Sequence, residues 1–156
     1  MACNRCCCRR TTVRNLNQNN FIPSAVEVFN SLTQTIAPNE QIVFLQTNYN
    51  TGVSFSTDTD NLGINIVETG VYKITFTGLA ASDVDETISL AITLNGEQFP
   101  QSEVSQSLFA NSTSIVSTTM VFKVQSPNAN IGVKNIGASD FNLTNAKLDI
   151  VRIGNF

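Results

Sequence analysis

Gly70-Val71-Tyr72-Lys73-Ile74-Thr75-Phe76-Thr77-Gly78-Leu79 is the stretch that decides the fold class. From Val71 to Leu79 the side chains alternate. Tyr72, Ile74 and Phe76 fall on one face, and Lys73, Thr75 and Thr77 on the other. A period of two is the signature of a half-buried β-strand. The same reading extends in both directions. Upstream, Gln41-Ile42-Val43-Phe44-Leu45 reads as a buried strand, Val53-Ser54-Phe55-Ser56 alternates, and Gly63 to Val67 leads to a turn at Glu68-Thr69-Gly70. Downstream, Asp83-Val84-Asp85-Glu86 is an acidic loop, and Ile88, Leu90, Ile92 and Leu94 line one face opposite Ser89, Ala91 and Thr93. Asn95-Gly96 is a two-residue hairpin turn, because both positions accept positive φ, with Glu97 to Phe99 returning. Ile115 to Val124, with Met120, Phe122 and Val124 inward, Asn130 to Ile136 and Asn145 to Ile153 complete the series. About eight to ten short strands with frequent turns and no helical period predict an all-β domain, a β-sandwich of which the jelly roll is one form.

The sandwich signal runs over residues 31–156, and residues 1–30 read as a basic, cysteine-rich, extended N-terminal tail and connector. Asn15 to Asn20 is mostly Asn and Gln. Phe21, Ile22 and Pro23 then form an apolar hook, followed by Val26, Val28 and Phe29. Pro23 keeps Ile22 extended and withholds a backbone donor. Two readings of this segment stand side by side: a connector that inserts into the next subunit, or the first strand of the same domain.

The chain has 156 residues, enough for one domain with a single core. Charged residues make up 13%, against about 25% in typical domains, so Asn, Gln, Ser and Thr must cover the surface. Arg5, Arg9, Arg10 and Arg14 give the first 14 residues four positive charges and no negative ones. The rest holds five basic and twelve acidic residues, a net of −7. Tail and body therefore attract each other between copies. No aromatic interleaves the arginines to stack on bases, so nucleic acid is not the expected partner. No run approaches the ~20 apolar residues of a membrane helix, so no membrane is expected either. Residues 1–16 lack the apolar stretch of about 7–15 residues that a secretory signal needs.

The chemistry of the chain is concentrated in its first eight residues, where Cys3, Cys6, Cys7 and Cys8 lie. There is no histidine and no tryptophan. Ser-His and Cys-His nucleophile systems are thereby excluded, and the chain is expected not to be an enzyme. No Gly-rich phosphate loop appears and no cofactor is expected. Tetrahedral zinc sites use two separated ligand pairs, whereas three of these cysteines are consecutive, so no metal is expected. Adjacent cysteines point in alternating directions, which suits intermolecular disulfides. An unpaired tail is the plainer alternative.

The succession of strands resembles the C1q and tumour-necrosis-factor-like superfamily. Gly70-Val71-Tyr72-Lys73-Ile74-Thr75-Phe76 is similar to its Gly-x-Tyr-x-Phe strand, and Leu90 to Gly96 to the next strand with its Asn-Gly hairpin. Ser117 to Val124 resembles the strand after the long central loop. Ala146 to Ile153 resembles the last strand of bacterial members, such as the C-terminal domains of spore-surface (exosporium) glycoproteins. The overall plan resembles an endospore-appendage pilus subunit. The resemblance implies a C1q/TNF-like jelly roll that trimerises, with its termini near one end. The function expected from it is a structural, self-assembling subunit of a fibre or appendage on a bacterial spore, bound to itself and to a spore-coat or exosporium anchor protein. Release by mother-cell lysis would take it outside without a secretory signal. A trimeric carbohydrate- or receptor-binding head is the alternative, with Tyr49, Phe99 and Phe109 as its loop aromatics.

Replacing Cys3, Cys6, Cys7 and Cys8 by serine is expected to leave assemblies that form but dissociate in hot detergent. Wild-type assemblies should withstand detergent until reductant is added. Monomer alone on non-reducing gels of the wild type would rule out cross-linking.

Overall fold

The computed structural model describes residues 21–52 and 54–155. The cysteines and the arginines of residues 1–20 lie outside this range. The described chain forms twelve strands: β1 (Ser24–Asn30), β2 (Gln34–Ile36), β3 (Gln46–Thr51), β4 (Phe55–Thr57), β5 (Gly63–Ile66), β6 (Gly70–Ser82), β7 (Glu86–Leu94), β8 (Glu97–Gln98), β9 (Val104–Leu108), β10 (Ser112–Val124), β11 (Ala129–Asn135) and β12 (Phe141–Gly154). A single 3-10 turn at Pro100–Ser102 is the only helical element among the described residues.

The strands make two sheets. One runs β10-β6-β12-β1-β3, with β2 also paired to β12. The other runs β4-β5-β11-β7-β8, with β9 also paired to β7. From β5 onward the chain repeatedly crosses between the sheets, so sequence neighbours such as β6 and β7 lie in opposite layers. The interior is filled from both sides. Tyr72, Ile74, Phe76, Leu148 and Ile150 come from the first sheet, and Ile64, Ile66, Leu90, Ile92, Ile131 and Val133 from the second. The Tyr72 ring meets Phe55 edge-on at 5.8 Å, and its hydroxyl donates to the Glu68 carbonyl at 2.7 Å. The buried hydroxyl is thus satisfied.

The alternation in β6 holds as expected and extends to Ser82. Asn95 and Gly96 both have positive φ, at 51° and 83°, which closes the β7–β8 hairpin. Three features differ from the sequence reading or were not signalled by it. First, Gln41–Leu45 is not a strand. Ile42 and Phe44 are buried, but the segment crosses between layers, with the Ile42 amide donating to Val133 and that of Phe44 to Asn61. The Gln34 carboxamide stands in for a neighbouring strand, taking the Val43 amide at 3.0 Å and giving to its carbonyl at 3.1 Å. Second, Gln46–Thr51 is a strand although every residue of it is exposed.

Third, the division after Asn30 falls too late. β1 is hydrogen-bonded between β12 and β3, and Val26 and Val28 sit in the chain's own core at 0% and 2% exposure. These two residues, proposed as part of an inter-subunit connector, instead fill a strand of their own domain. Their apolar pair is needed to close the sandwich beside Leu148 and Ile150.

Replacing both Val26 and Val28 by alanine is therefore expected to lower the unfolding free energy by about 2–4 kcal/mol. Denaturant unfolding of the full chain measures this. An unchanged midpoint would place β1 outside the folding unit.

Candidate self-association surface

The core side of β6, β12 and β1 dictates what their other side presents. Because Tyr72, Leu148 and Val26 point inward, Lys73, Thr75, Thr77, Lys147, Asp149, Val151, Ala25, Glu27 and Phe29 point outward. The register aligns them in rows across five strands. One row reads Val121, Lys73, Val151, Ala25, Thr51. The next reads Thr119, Thr75, Asp149, Glu27, Tyr49.

Much of this face is apolar. Ile115, Val121, Val151 and Ile153 are 66%, 57%, 36% and 47% exposed. Its hydroxyls largely satisfy one another: Thr119 donates to Thr75 at 3.1 Å, and the Ser117 and Thr77 hydroxyls lie 3.3 Å apart. Hydroxyls paired in this way lose little when water is removed.

At the centre sits a charge cluster. Glu27 and Asp149 are direct cross-strand partners. Lys147 joins them, with Nζ 2.7 Å from Glu27 and 3.3 Å from Asp149. Asn48 donates to Glu27 at 2.7 Å, and the Tyr49 hydroxyl to Asp149 at 3.3 Å. Glu27 is only 8% exposed. Its short bond to Lys147 holds its carboxyl below the usual range, outweighing burial. Asp149 goes the other way: burial, and then the facing Glu27, push it up. Lys147 is raised, chiefly by Glu27. Burial and then Asp149 raise Tyr49. Beside the cluster, Phe29, Ser31, Asn48, Asn145, Glu27 and Lys147 line a hollow of about 300 Å³.

The other expected site residues are distributed as follows. Phe29 lies on this face, half-buried. Phe21, Ile22 and Pro23 are exposed, and Ile22 borders a hollow with Glu68, Pro127, Arg152 and Asn155 at one end of the sandwich. Cys3, Cys6, Cys7 and Cys8 fall outside the described residues. Of the three aromatics expected in loops, Tyr49 lies in β3 and is engaged with Asp149, and Phe99 meets Phe122 edge-on at 5.3 Å, so of these three only Phe109 stands free, at 68% exposure. Among the described residues no group of three or more metal-ligating side chains comes together.

The fold is shared with solved structures. Murine APRIL superposes with a TM-score of 0.68 at 16% identity, over 85% of this chain and 100% of that one. The Eiger TNF of S. frugiperda gives 0.61 at 13%, over 87% and 94%. The globular domain of zebrafish complement 1qA gives 0.60 at 15%, over 85% and 99%. No family model matches the chain, and no curated protein is significantly similar to it. The chain is a jelly-roll β-sandwich of the tumour-necrosis-factor/C1q kind, as the sequence resemblance implied.

The opposite pKa directions fix the sign of a pH test. Glu27 stabilises above its ordinary 4.5, and this is lost as pH falls through its depressed value. Asp149 contributes favourably in acid, and this is lost as pH rises from its ordinary 3.8 through its raised value. Asp149→Asn is thus expected to stabilise the chain at pH ~7 by up to about 1 kcal/mol, with the gain vanishing in acid. Glu27→Gln should cost about 1–2 kcal/mol at the same pH. Thermal unfolding against pH reads both, and a gain for Asp149→Asn that persists below pH ~3 would refute the cost of the charge on Asp149.

Proposed function

We propose that this chain is a structural, self-associating subunit rather than an enzyme. In this reading the jelly roll is a rigid bead, copies trimerise through the outward face of the β10-β6-β12-β1-β3 sheet, and the trimers build a fibre or surface array. The observation that carries it is the exposure of Ile115, Val121, Val151 and Ile153 on one sheet face whose hydroxyls are already paired. Several large apolar side chains exposed on one sheet face, set among paired polar groups, have the composition of a protein-protein contact surface.

The segment before the sandwich supplies the means of linking beads. Phe21 and Ile22 are exposed where the chain enters, and residues 1–20 reach about 65 Å when extended. Intermolecular disulfides through Cys3, Cys6, Cys7 and Cys8 then lock the array, in an oxidising setting such as a released spore. A position on the bacterial spore surface is supported by the sequence resemblance of the last strand to spore-surface glycoprotein domains, and of the plan to an endospore-appendage pilus. A coat or exosporium protein is its anchor.

Val121→Asp together with Val151→Asp is expected to leave a folded monomer, because both side chains point away from the core. Sedimentation of the wild type should give a trimer or its multiples. A wild type that stays monomeric at micromolar concentration would remove the trimer. Electron micrographs of the wild type should show fibres.

A further inference from the structure

Association through the sheet face leaves one end of the sandwich unused. β6 runs 13 residues from Gly70 to Ser82, about 40 Å. At its Gly70 end lie Ile22, Glu68 and Asn155, and Arg152 ties the loop to the C-terminal strand by pairing with Glu68 and donating to the Thr69 carbonyl at 2.8 Å and Asn155 at 3.0 Å. Residues 1–20 join the body at this basal end, immediately before Phe21.

The Ser82 end has the opposite chemistry. A hollow of about 280 Å³ is lined by Asp83, Glu86 and Asp140, with Val84 and Phe141 between them, and by no basic residue. Glu86 Oε1 is sealed from water and has no hydrogen-bond partner. The adjoining loop tips expose Val84 at 60% and Phe109 at 68%. Asp85 ties these tips together by accepting from the Ala110 amide at 2.7 Å. The apex thus offers the exposed carboxylates of Asp83 and Asp140, the less exposed Glu86 and two free apolar side chains.

Residues 1–20 hold the complement: Arg5, Arg9, Arg10 and Arg14 with no acidic residue, running into the exposed Phe21 and Ile22. We propose that the apical hollow is the docking site for the arginine-bearing segment 1–20 of a second copy. Guanidinium groups match carboxylates with two parallel hydrogen bonds, and a partly desolvated acidic hollow strengthens such pairs. Docking in its own chain would order all 20 residues along the whole length of the body for one contact. A second copy stacked base to apex meets the hollow directly. This inference rests on the fibre reading and names the surface that receives the connector.

The test uses full-length chains in reductant, so that only non-covalent contacts count. One variant carries Asp83→Lys and Asp140→Lys, both exposed positions; another carries Arg9→Glu and Arg10→Glu. Glu86 is left unchanged to protect folding. Each variant alone is expected to bind end to end about tenfold or more weakly. An equimolar mixture should recover pairwise association, because an intact segment meets an intact hollow. All four substitutions in one chain should restore fibres. If wild-type fibres form and both variants polymerise as well as wild type, this inference fails while the fibre reading stands. If the wild type itself makes no fibre, both fail. If the apex variant keeps its mass but its residues 1–20 become protease-sensitive, the segment docks in its own chain and the proposal is overturned.

Discussion

β6 is held between β10 and β12 along nearly its whole length, and the rest of the molecule follows from that clamp. Its alternation leaves one acceptable register. Tyr72, Ile74 and Phe76 are each 0% exposed, and a slip of one residue would bury Lys73 in their place. An unpaired lysine in that layer would cost far more than the strand pairing returns. The same register fixes the outer face, because Lys73 can only lie between Val121 and Val151 once Ile74 lies inside. The packed core and the exposed apolar face are therefore two sides of a single constraint.

The sequence is most legible where one strand face is buried and the other is wet. β6, β7, β10 and the Asn95-Gly96 hairpin could be read directly for that reason. β3 could not, because Gln46–Thr51 has no buried face and hence no period to detect. β9 has the same difficulty, with only Leu108 buried. Gln41–Leu45 has the opposite problem. Ile42 and Phe44 alternate like a strand, yet the polar groups of Val43 are met by the side chain of Gln34, an arrangement that no local pattern signals. β1 stayed ambiguous because neither partner signals it: β12 lies more than a hundred residues away, and the nearer β3 has no buried face to read.

The candidate surface was legible in part. Lys147 and Asp149 alternate with Leu148 and Ile150, which is enough to turn them outward. That Asp149 faces Glu27 depends on the pairing of the first strand with the last, and this was not visible. Like charges opposite one another normally weaken a sheet. Here Lys147 bridges both carboxylates, and Asn48 and Tyr49 occupy further oxygens, so the pair is tolerated. A cluster so fully bonded can be covered by another protein surface at smaller cost than an open pair, since few of its polar atoms depend on water.

The two proposed contacts differ in symmetry, and the difference governs what can be built. Packing through a sheet face closes on itself and stops at a small number of copies. Base-to-apex docking joins unlike surfaces and does not close unless its rotation makes a ring. Closed units strung by open contacts give a fibre of trimers, whereas the sheet contact alone stops at the closed unit and the end contact alone would string single subunits. The order of residues in the tail also sets the sequence of events. Arg9 and Arg10 directly follow Cys6, Cys7 and Cys8, so an ionic contact at the apex would hold these thiols at one end of a neighbour. Holding two reactive groups on one assembly raises their effective concentration to about the millimolar range, well above that of free subunits. Disulfide exchange would then act on neighbours already selected by charge, with the weak reversible contact choosing the partner and the covalent bond preserving the choice.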